Sequence, residues 1–592
     1  MQIHPSITRH SLTAILLTLA TSHCGPTPAT QDASVDSTAV DASPSTDAAE
    51  DTVDSSTEAG PSETPTMARV SSGELVGATR EGVRRFLGIP YAAAPTGPRR
   101  WRAPEPASAW ATPRMATQHG PSCPQSPARD PLSGQTFATS EDCLTLNVWT
   151  PEAPSATPRP VMVFVHGGGF VSGTGSLSLY DGANLARSAG AVVVTLNYRL
   201  GQLGFLAHSA LRAEQTSNAG PGNYGLLDQQ AALRWVRDEV RALGGDPANV
   251  TLFGESAGSL SVCLHMVAPG SRGLFHRAIG QSASCTFFVN TLSTTPDARF
   301  QPAESLGSLF STALRCESRA TPAEVLACLR SKSVDEVLMA EPRPAELNIR
   351  DARYQPSVDG VVLPMRPWAM FRAGMSANVP FMSGTNRDEG TVFSLTTSIA
   401  NETEYRAAVR ALLPLRDTVL NAALNDILTR YWPIAMYPSA KDAYNAFLGD
   451  VAFVCPARAQ ARMMASRAMA QPVWLYHFTR ENLGGRNLGL GVFHSAELPY
   501  VFANFVRPFM RTPMDATVSD LVVGAWARFA RTGDPNGAGL APAWPSYSMT
   551  NDSLYVLDVT PRTENAFRQQ KCDAIDTWLM DLDSPVMAGA GG

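Results

Sequence analysis

Ser256 lies in Gly254-Glu-Ser-Ala-Gly258, directly after the apolar run Val250–Phe253 and directly before the apolar, small-residue stretch Ser259–Val267. A Gly-x-Ser-x-Gly turn between a strand and a helix bends the backbone sharply. It lifts the serine hydroxyl out of the sheet at a helix N-terminus. The flanking glycines are needed because side chains there would collide with neighbouring backbone. The chemistry suggested is nucleophilic attack. A serine at its free pKa is a weak nucleophile, so a base must accompany it.

Where such a turn works with a histidine, the histidine follows the acid in chain order. Four histidines lie downstream of Ser256 outside the N-terminal segment: His265, His276, His477 and His494. His265 falls in the apolar stretch and is expected to be packed. His276 is expected near a surface or sheet edge. His477 sits in the strand-like Val473–Phe478 and reads as structural. His494 sits in the glycine-bounded Gly489–Glu497, where a loop can carry an imidazole to a strand end, so it leads. The acid should follow a strand between serine and base. Val379–Gly384 reads as that strand, and Asp388 and Glu389 in the next turn are both candidates.

The remaining part is a set of donors for the negative charge that acyl transfer builds on a carbonyl oxygen. The run 160–165 leads into His166-Gly-Gly-Gly-Phe170, a glycine run whose amides can approach a substrate closely. It has neither the spacing nor the lysine of a phosphate-binding loop.

These parts need a scaffold. Residues 160–165, 191–196 and 250–253 are continuous apolar runs, as expected of strands buried on both faces. Leu226–Leu243 has helical apolar spacing and stops at Gly244-Gly245. Buried strands alternating with helices predict an α/β fold built on a mostly parallel, doubly wound sheet. Residues 67–580 show no Pro/Ser-rich break and read as one large domain, with a short tail at 581–592.

The chain has 592 residues, 44% of them hydrophobic and 17% charged, which suits a globular protein. Residues 25–66 carry nine acidic and no basic residues, so most of the formal charge of −6 sits there and the body is close to neutral. That argues against a nucleic-acid partner. Arg9, the apolar run Leu12–Ala20 and the small residues before Cys24 read as a secretory signal over residues 1–23. Cys24 suggests cleavage before it and acylation, the mark of a bacterial lipoprotein. His23 departs from the small residue usual there, and plain secretion is the alternative. Residues 24–66, rich in Ser, Thr, Pro, Ala and Asp, read as a disordered tether. Besides Cys24 there are Cys123, Cys143, Cys263, Cys285, Cys316, Cys328, Cys455 and Cys572. An even count in an exported chain permits disulfides. No Cys/His spacing suggests a metal site.

From about residue 67 to 580 the chain resembles the type-B carboxylesterase/lipase family, which includes bacterial para-nitrobenzyl esterases and cholinesterases. The resemblance rests on Phe86-Leu-Gly-Ile-Pro-Tyr-Ala92, Glu141-Asp-Cys-Leu-Thr-Leu-Asn-Val-Trp149 and His166-Gly-Gly-Gly-Phe170. It rests equally on Asn197-Tyr-Arg-Leu200, Gly244–Gly258 and Gly384-Thr-Asn-Arg-Asp-Glu-Gly390. It implies an α/β-hydrolase fold, a Ser256–Glu389–His494 triad and an oxyanion hole of the Gly168, Gly169 and Ala257 amides. It thus selects Glu389 over Asp388. It also implies disulfides Cys123–Cys143, Cys316–Cys328 and Cys455–Cys572. Cys263 and Cys285 match no such bridge; they are either free or an extra pair, and buried thiols are the simpler expectation.

The implied reaction is hydrolysis of a small-molecule ester through an acyl-enzyme, with no cofactor or metal. Cholinesterases place a tryptophan in the loop closed by the first disulfide, to stack on a quaternary ammonium. Here the loop 124–142 has only Phe137 as an aromatic residue, so choline esters are disfavoured. The alternatives are a tethered binding protein with residual catalytic residues, and a lipase activated at interfaces.

Overall fold

The apolar runs expected to be doubly buried strands form the centre of one mixed sheet. The computed structural model describes residues 63–582, apart from 127–135, 215–219, 286–289, 292–301, 341–353, 413–417, 507–508 and 539. The expected signal, Cys24, nearly all of the tether and most of the tail lie outside the described residues.

In chain order the strands are β1 (Thr64–Val70), β2 (Gly73–Arg80), β3 (Val83–Pro90), β4 (Arg114–Met115), β5 (Thr145–Pro151), β6 (Arg159–Val165), β7 (Val192–Leu196) and β8 (Gly245–Glu255). There follow β9 (Arg277–Gln281), β10 (Asn290–Thr291), β11 (Ser357–Val358), β12 (Phe381–Asn386), β13 (Val473–Phe478), β14 (Ser553–Leu557) and β15 (Arg562–Asn565). The main sheet runs β1-β2-β3-β5-β7-β6-β8-β9-β12-β13-β14-β15, with β4 beside β2, while β10 and β11 pair separately. Neighbours from β7 to β14 are parallel. The pairs β1-β2, β2-β3, β3-β5, β5-β7 and β14-β15 are antiparallel, and β4 lies parallel to β2. β1 starts at Thr64, a few residues inside the stretch expected to be tether.

The helices that matter here are α1 (Ala183–Ala189), α2 (Tyr224–Glu239), α3 (Ala257–Val267), α4 (Ala440–Gly449), α5 (Cys455–Ala465), α6 (Pro513–Thr532) and α7 (Gln569–Leu582). Side chains alternate across the sheet, and each face of β6 has its own helix. Val161, Val163 and Val165 pack in one core with Leu226, Leu233 and Val236 of α2. Met162 and Phe164 pack in the opposite core with Val522, Trp526 and Phe529 of α6. Both faces are therefore dry, as the unbroken apolar runs require. Each such side chain contributes ~1.5–3 kcal/mol by burial. α2 tightens into a 3-10 turn over Val240–Leu243 and ends at Gly244. Thr512 caps α6 in a reciprocal box with Asp515.

Cys123–Cys143, Cys316–Cys328 and Cys455–Cys572 are disulfides, as the resemblance implied. Cys263 and Cys285 correct the expectation of free thiols. They form a fourth disulfide, with Cα atoms 5.6 Å apart, inside the range a bridge can span. The reason is the crossover. β8, α3 and β9 form one strand–helix–strand unit, so Cys263 on α3 meets the segment leaving β9, and the Cys285 amide also donates to Cys263 Sγ at 3.1 Å. Four disulfides mark an exported protein. Among the described residues no helix is long and apolar enough to cross a membrane.

Candidate active site

Ser256 stands between the end of β8 and the first residue of α3, with φ 56° and ψ −123°. A non-glycine residue at positive φ is strained, and here the strain follows from reversing the chain directly off a buried strand. The neighbours make the bend possible. A Cβ on Gly254 would stand 2.6 Å from the Gly258 carbonyl carbon, and one on Gly258 would stand 1.9 Å from the Val165 carbonyl oxygen. Ser256 N–H donates to Gln281 O at 2.9 Å, which pins the turn to β9.

The His166–Phe170 run leaves the end of β6 beside this turn. A Cβ on Gly167 would lie 3.0 Å from Ser256 Cβ. Gly168 has φ 100°, a left-handed conformation that turns the run back on itself. Ala257 is the first residue of α3, so its N–H has no partner within the helix. His166 braces the run: its ring stacks on Tyr198 at 4.4 Å and its Nδ1 lies 2.8 Å from Gly167 O. Burial pushes the His166 pKa down to about 4, so it is neutral.

Of the four candidate histidines, one meets a candidate acid. His494 Nδ1 donates to Glu389 Oε2 at 2.6 Å, and the Glu389 side chain is fully buried. The other Glu389 oxygen accepts from Asn386 N–H at 2.7 Å. Asp388 turns away from the imidazole. Its Oδ2 accepts from Val492 N–H at 2.7 Å and its N–H donates to Val492 O at 2.9 Å, so it clasps the loop that carries His494. The other three candidate histidines have different partners. His265 bridges Ser271 and Gln229, both at 2.8 Å. His276 Nδ1 accepts from Val250 N–H, and His477 is buried on β13 against Phe567.

Two carboxylates not anticipated from the sequence complete the surroundings. Glu255 Oε1 lies 3.1 Å from His494 Nε2. The pair lacks the alignment of a hydrogen bond, and Nε2 has no hydrogen-bond partner among the described residues. Glu255 Oε1 instead accepts from Ser495 Oγ at 2.5 Å. Glu497 accepts from Asn386 Nδ2 at 2.5 Å and Gln281 Nε2 at 3.0 Å. Burial raises the Glu255 pKa to about 7, opposed by His494. Burial and then Glu389 raise that of Glu497. Burial pulls His494 down, but Glu255 and Glu389 outweigh it and bring it up to about 9. The only sequence signal for Glu255 and Glu497 is a carboxylate set among apolar residues beside the serine and three residues after the histidine. Among the described residues no cluster of His, Cys, Asp or Glu could hold a metal ion.

The sheet, the turn and the histidine–glutamate pair now stand together, and residues 64–575 match the family model "Carboxylesterase family". The chain belongs to the carboxylesterase family. It is similar to "Para-nitrobenzyl esterase" of Bacillus subtilis (strain 168), 35% identical over 511 residues that span 84% of this chain and 96% of that protein. It is also similar to "Cholinesterase" of Mus musculus, 34% identical over 504 residues, 80% of each. Among solved structures, a "PNB esterase" superposes with a TM-score of 0.72 at 34% identity, over 86% of this chain and 100% of that one. A "thermophylic PNB esterase" gives a TM-score of 0.72 at 33% identity, over 86% of this chain and 100% of that one. The α/β-hydrolase fold of this carboxylesterase-family chain is therefore the fold its strand order describes.

Proposed function

We propose that this family member is a serine carboxylic-ester hydrolase in which Ser256 is the nucleophile, His494 the base and Glu389 the orienting acid. The observation that carries the assignment is the 2.6 Å bond from His494 Nδ1 to buried Glu389. That bond fixes the imidazole with Nε2 directed away from the acid. Glu255, next in the chain to Ser256, is 3.1 Å from that Nε2, which supports the serine and the imidazole sharing one cavity.

In the proposed reaction His494 Nε2 takes the proton of Ser256 Oγ as the oxygen bonds to the ester carbonyl carbon. The carbonyl oxygen becomes an oxyanion, held by the amides of Gly168, Gly169 and Ala257. The imidazolium passes its proton to the departing alcohol as the C–O ester bond breaks. Water then repeats the sequence on the acyl-enzyme, yielding a carboxylic acid and free serine. No residue in this scheme calls for a metal or cofactor. The substrate class is small to medium carboxylic esters. Choline esters fit poorly, because the loop between Cys123 and Cys143 has no tryptophan.

Turnover of p-nitrophenyl butyrate by the folded protein, and its loss in Ser256→Ala with unchanged circular dichroism, is the expected result. Full turnover by Ser256→Ala would remove the assignment, as would failure of the wild type to react with a fluorophosphonate probe. We also propose that Cys24 is acylated and that the acidic segment after it tethers the body to a membrane. Cys24→Ala should then move the protein from the membrane fraction to the soluble one.

A further inference from the structure

His494 is held by aromatic contacts to its ring as well as at its nitrogen. Phe453 and Phe393 pack against it, with ring centroids 4.9 Å and 5.0 Å from the imidazole. The two phenyl rings stack on each other at 5.5 Å. Phe453 is only 6% exposed, so it offers almost no surface to a substrate. Its contact is with the imidazole.

The backbone that presents Phe453 is unusual. Between α4 and α5 the helix widens into a π-turn over Asp450–Val454. Such insertions interrupt the regular hydrogen-bond ladder and concentrate at functional sites. In an uninterrupted α-helix, residues three apart share a face. Here Asp450 and Phe453 serve different partners. Asp450 is fully buried, accepts from Trp432 Nε1 at 2.9 Å, pairs with Arg568, and lies 3.7 Å from Lys571 Nζ at the start of α7. The wider turn anchors Asp450 on that side while Phe453 reaches His494.

The same helix backs the acid. A Cβ on Gly390 would stand 2.1 Å from Asn445 O of α4, so the turn carrying Glu389 lies flat on α4. Ser394 Oγ donates to Asn445 Oδ1 at 2.5 Å and fixes the short turn that bears Phe393. One helical segment therefore supports Glu389, Phe393 and Phe453 together.

We propose that Phe453, presented by the π-turn, is a positioning residue that holds the His494 imidazole in line with Glu389. The inference rests on the assignment of His494 as base. Without the ring, the imidazole can rotate out of its bond to Glu389, and a displacement of about 1 Å in a reacting group can cost ~100-fold in rate. Because the ring is not substrate-facing, the loss falls on kcat and not on KM.

The test compares Phe453→Ala and Phe453→Leu with wild type, on p-nitrophenyl butyrate. For Ala, kcat should fall by roughly 10- to 100-fold with KM changed by less than about threefold. Leu, which refills most of the volume, should recover most of kcat. The downfield proton of the His494 Nδ1–H to Glu389 bond should be visible by NMR in wild type and Leu and broadened away in Ala. Should Ala not fold, Phe453→Val is read in its place. A folded Ala or Val variant with native kcat and the proton signal intact overturns the proposal, as does a loss carried by KM. If the wild type does not hydrolyse esters, the functional assignment fails on its own account. The proton signal still decides whether Phe453 holds the imidazole.

Discussion

Glu255 and His494 stand 3.1 Å apart, two ionisable groups competing for protons inside one dry site. Burial brings the carboxyl up to about 7 against the pull of His494, with Glu497 and Glu389 adding to the rise. Burial pulls the imidazole down, but Glu255 and Glu389 outweigh it and bring it up to about 9. The proposed base works only when neutral. Turnover should therefore rise with pH as the imidazole loses its proton, with an apparent pKa that belongs to the coupled pair. In Glu255→Gln one of the charges that hold this proton is gone. The rising limb of kcat against pH should then move to lower pH. An unmoved limb, or one moved upward, would show that Glu255 does not act on the imidazole.

Glu389 and Asp388 are adjacent in sequence but have different partners. Glu389→Gln keeps the shape but removes the charge that orients and stabilises the imidazolium. Comparable changes elsewhere lower kcat by about 10⁴-fold, and a loss of that order is expected. Asp388→Asn keeps an acceptor for the Val492 amide and should stay within about tenfold of wild type, since it touches the loop and not the ring. Steady-state kinetics of the two variants separate the roles, and equal losses would contradict the split.

Gly258 has no room for a methyl group, since Val165 O would be 1.9 Å from it. Gly258→Ala must push α3 off the end of β6. Overpacking of this kind costs about 1–3 kcal/mol, and it displaces Ser256 and the Ala257 amide together. A lowered Tm with at least ~100-fold less turnover is expected. A crystal structure of the variant with an unmoved turn would show the contact to be compliant.

The Cys263–Cys285 bridge closes a separation of 22 residues. Chain-entropy arguments put a loop of that size at about 3 kcal/mol of stability. Cys263→Ser with Cys285→Ser should lower stability by roughly that amount in denaturant titration. Non-reducing peptide mapping of the wild type should recover Cys263 and Cys285 in one linked fragment. Recovery of both as alkylatable thiols would refute the pairing.

Much of the centre of the fold could be read from the sequence because its physics is local. Unbroken runs such as Val161–Val165 have no polar side to expose, so they must be covered on both faces. The serine turn could be read because its glycines sit where backbone meets backbone. The antiparallel flank could not: β1 to β3 mix Arg, Glu, Thr and Gly with their apolar residues and lie at a sheet edge. Nor could residue chemistry alone choose between Asp388 and Glu389. The family resemblance selected Glu389, and the fold shows it, and not Asp388, meeting the imidazole at position 494. Glu255 and Glu497 carry no local mark either. Their roles come from neighbours more than two hundred residues distant, such as Ser495 for Glu255 and Gln281 for Glu497. The pairing of Cys263 with Cys285 was hidden for the same reason, since it depends on how a helix crosses back over its own sheet.

The strand order has one further consequence. The serine turn follows β8, while the histidine arrives only after β13, near the far end of the polypeptide. On the proposed assignment, a chain cut anywhere before residue 494 would keep the hydroxyl of Ser256 and lack the imidazole proposed to activate it, so the two halves of the reacting pair are joined only by folding across more than two hundred residues.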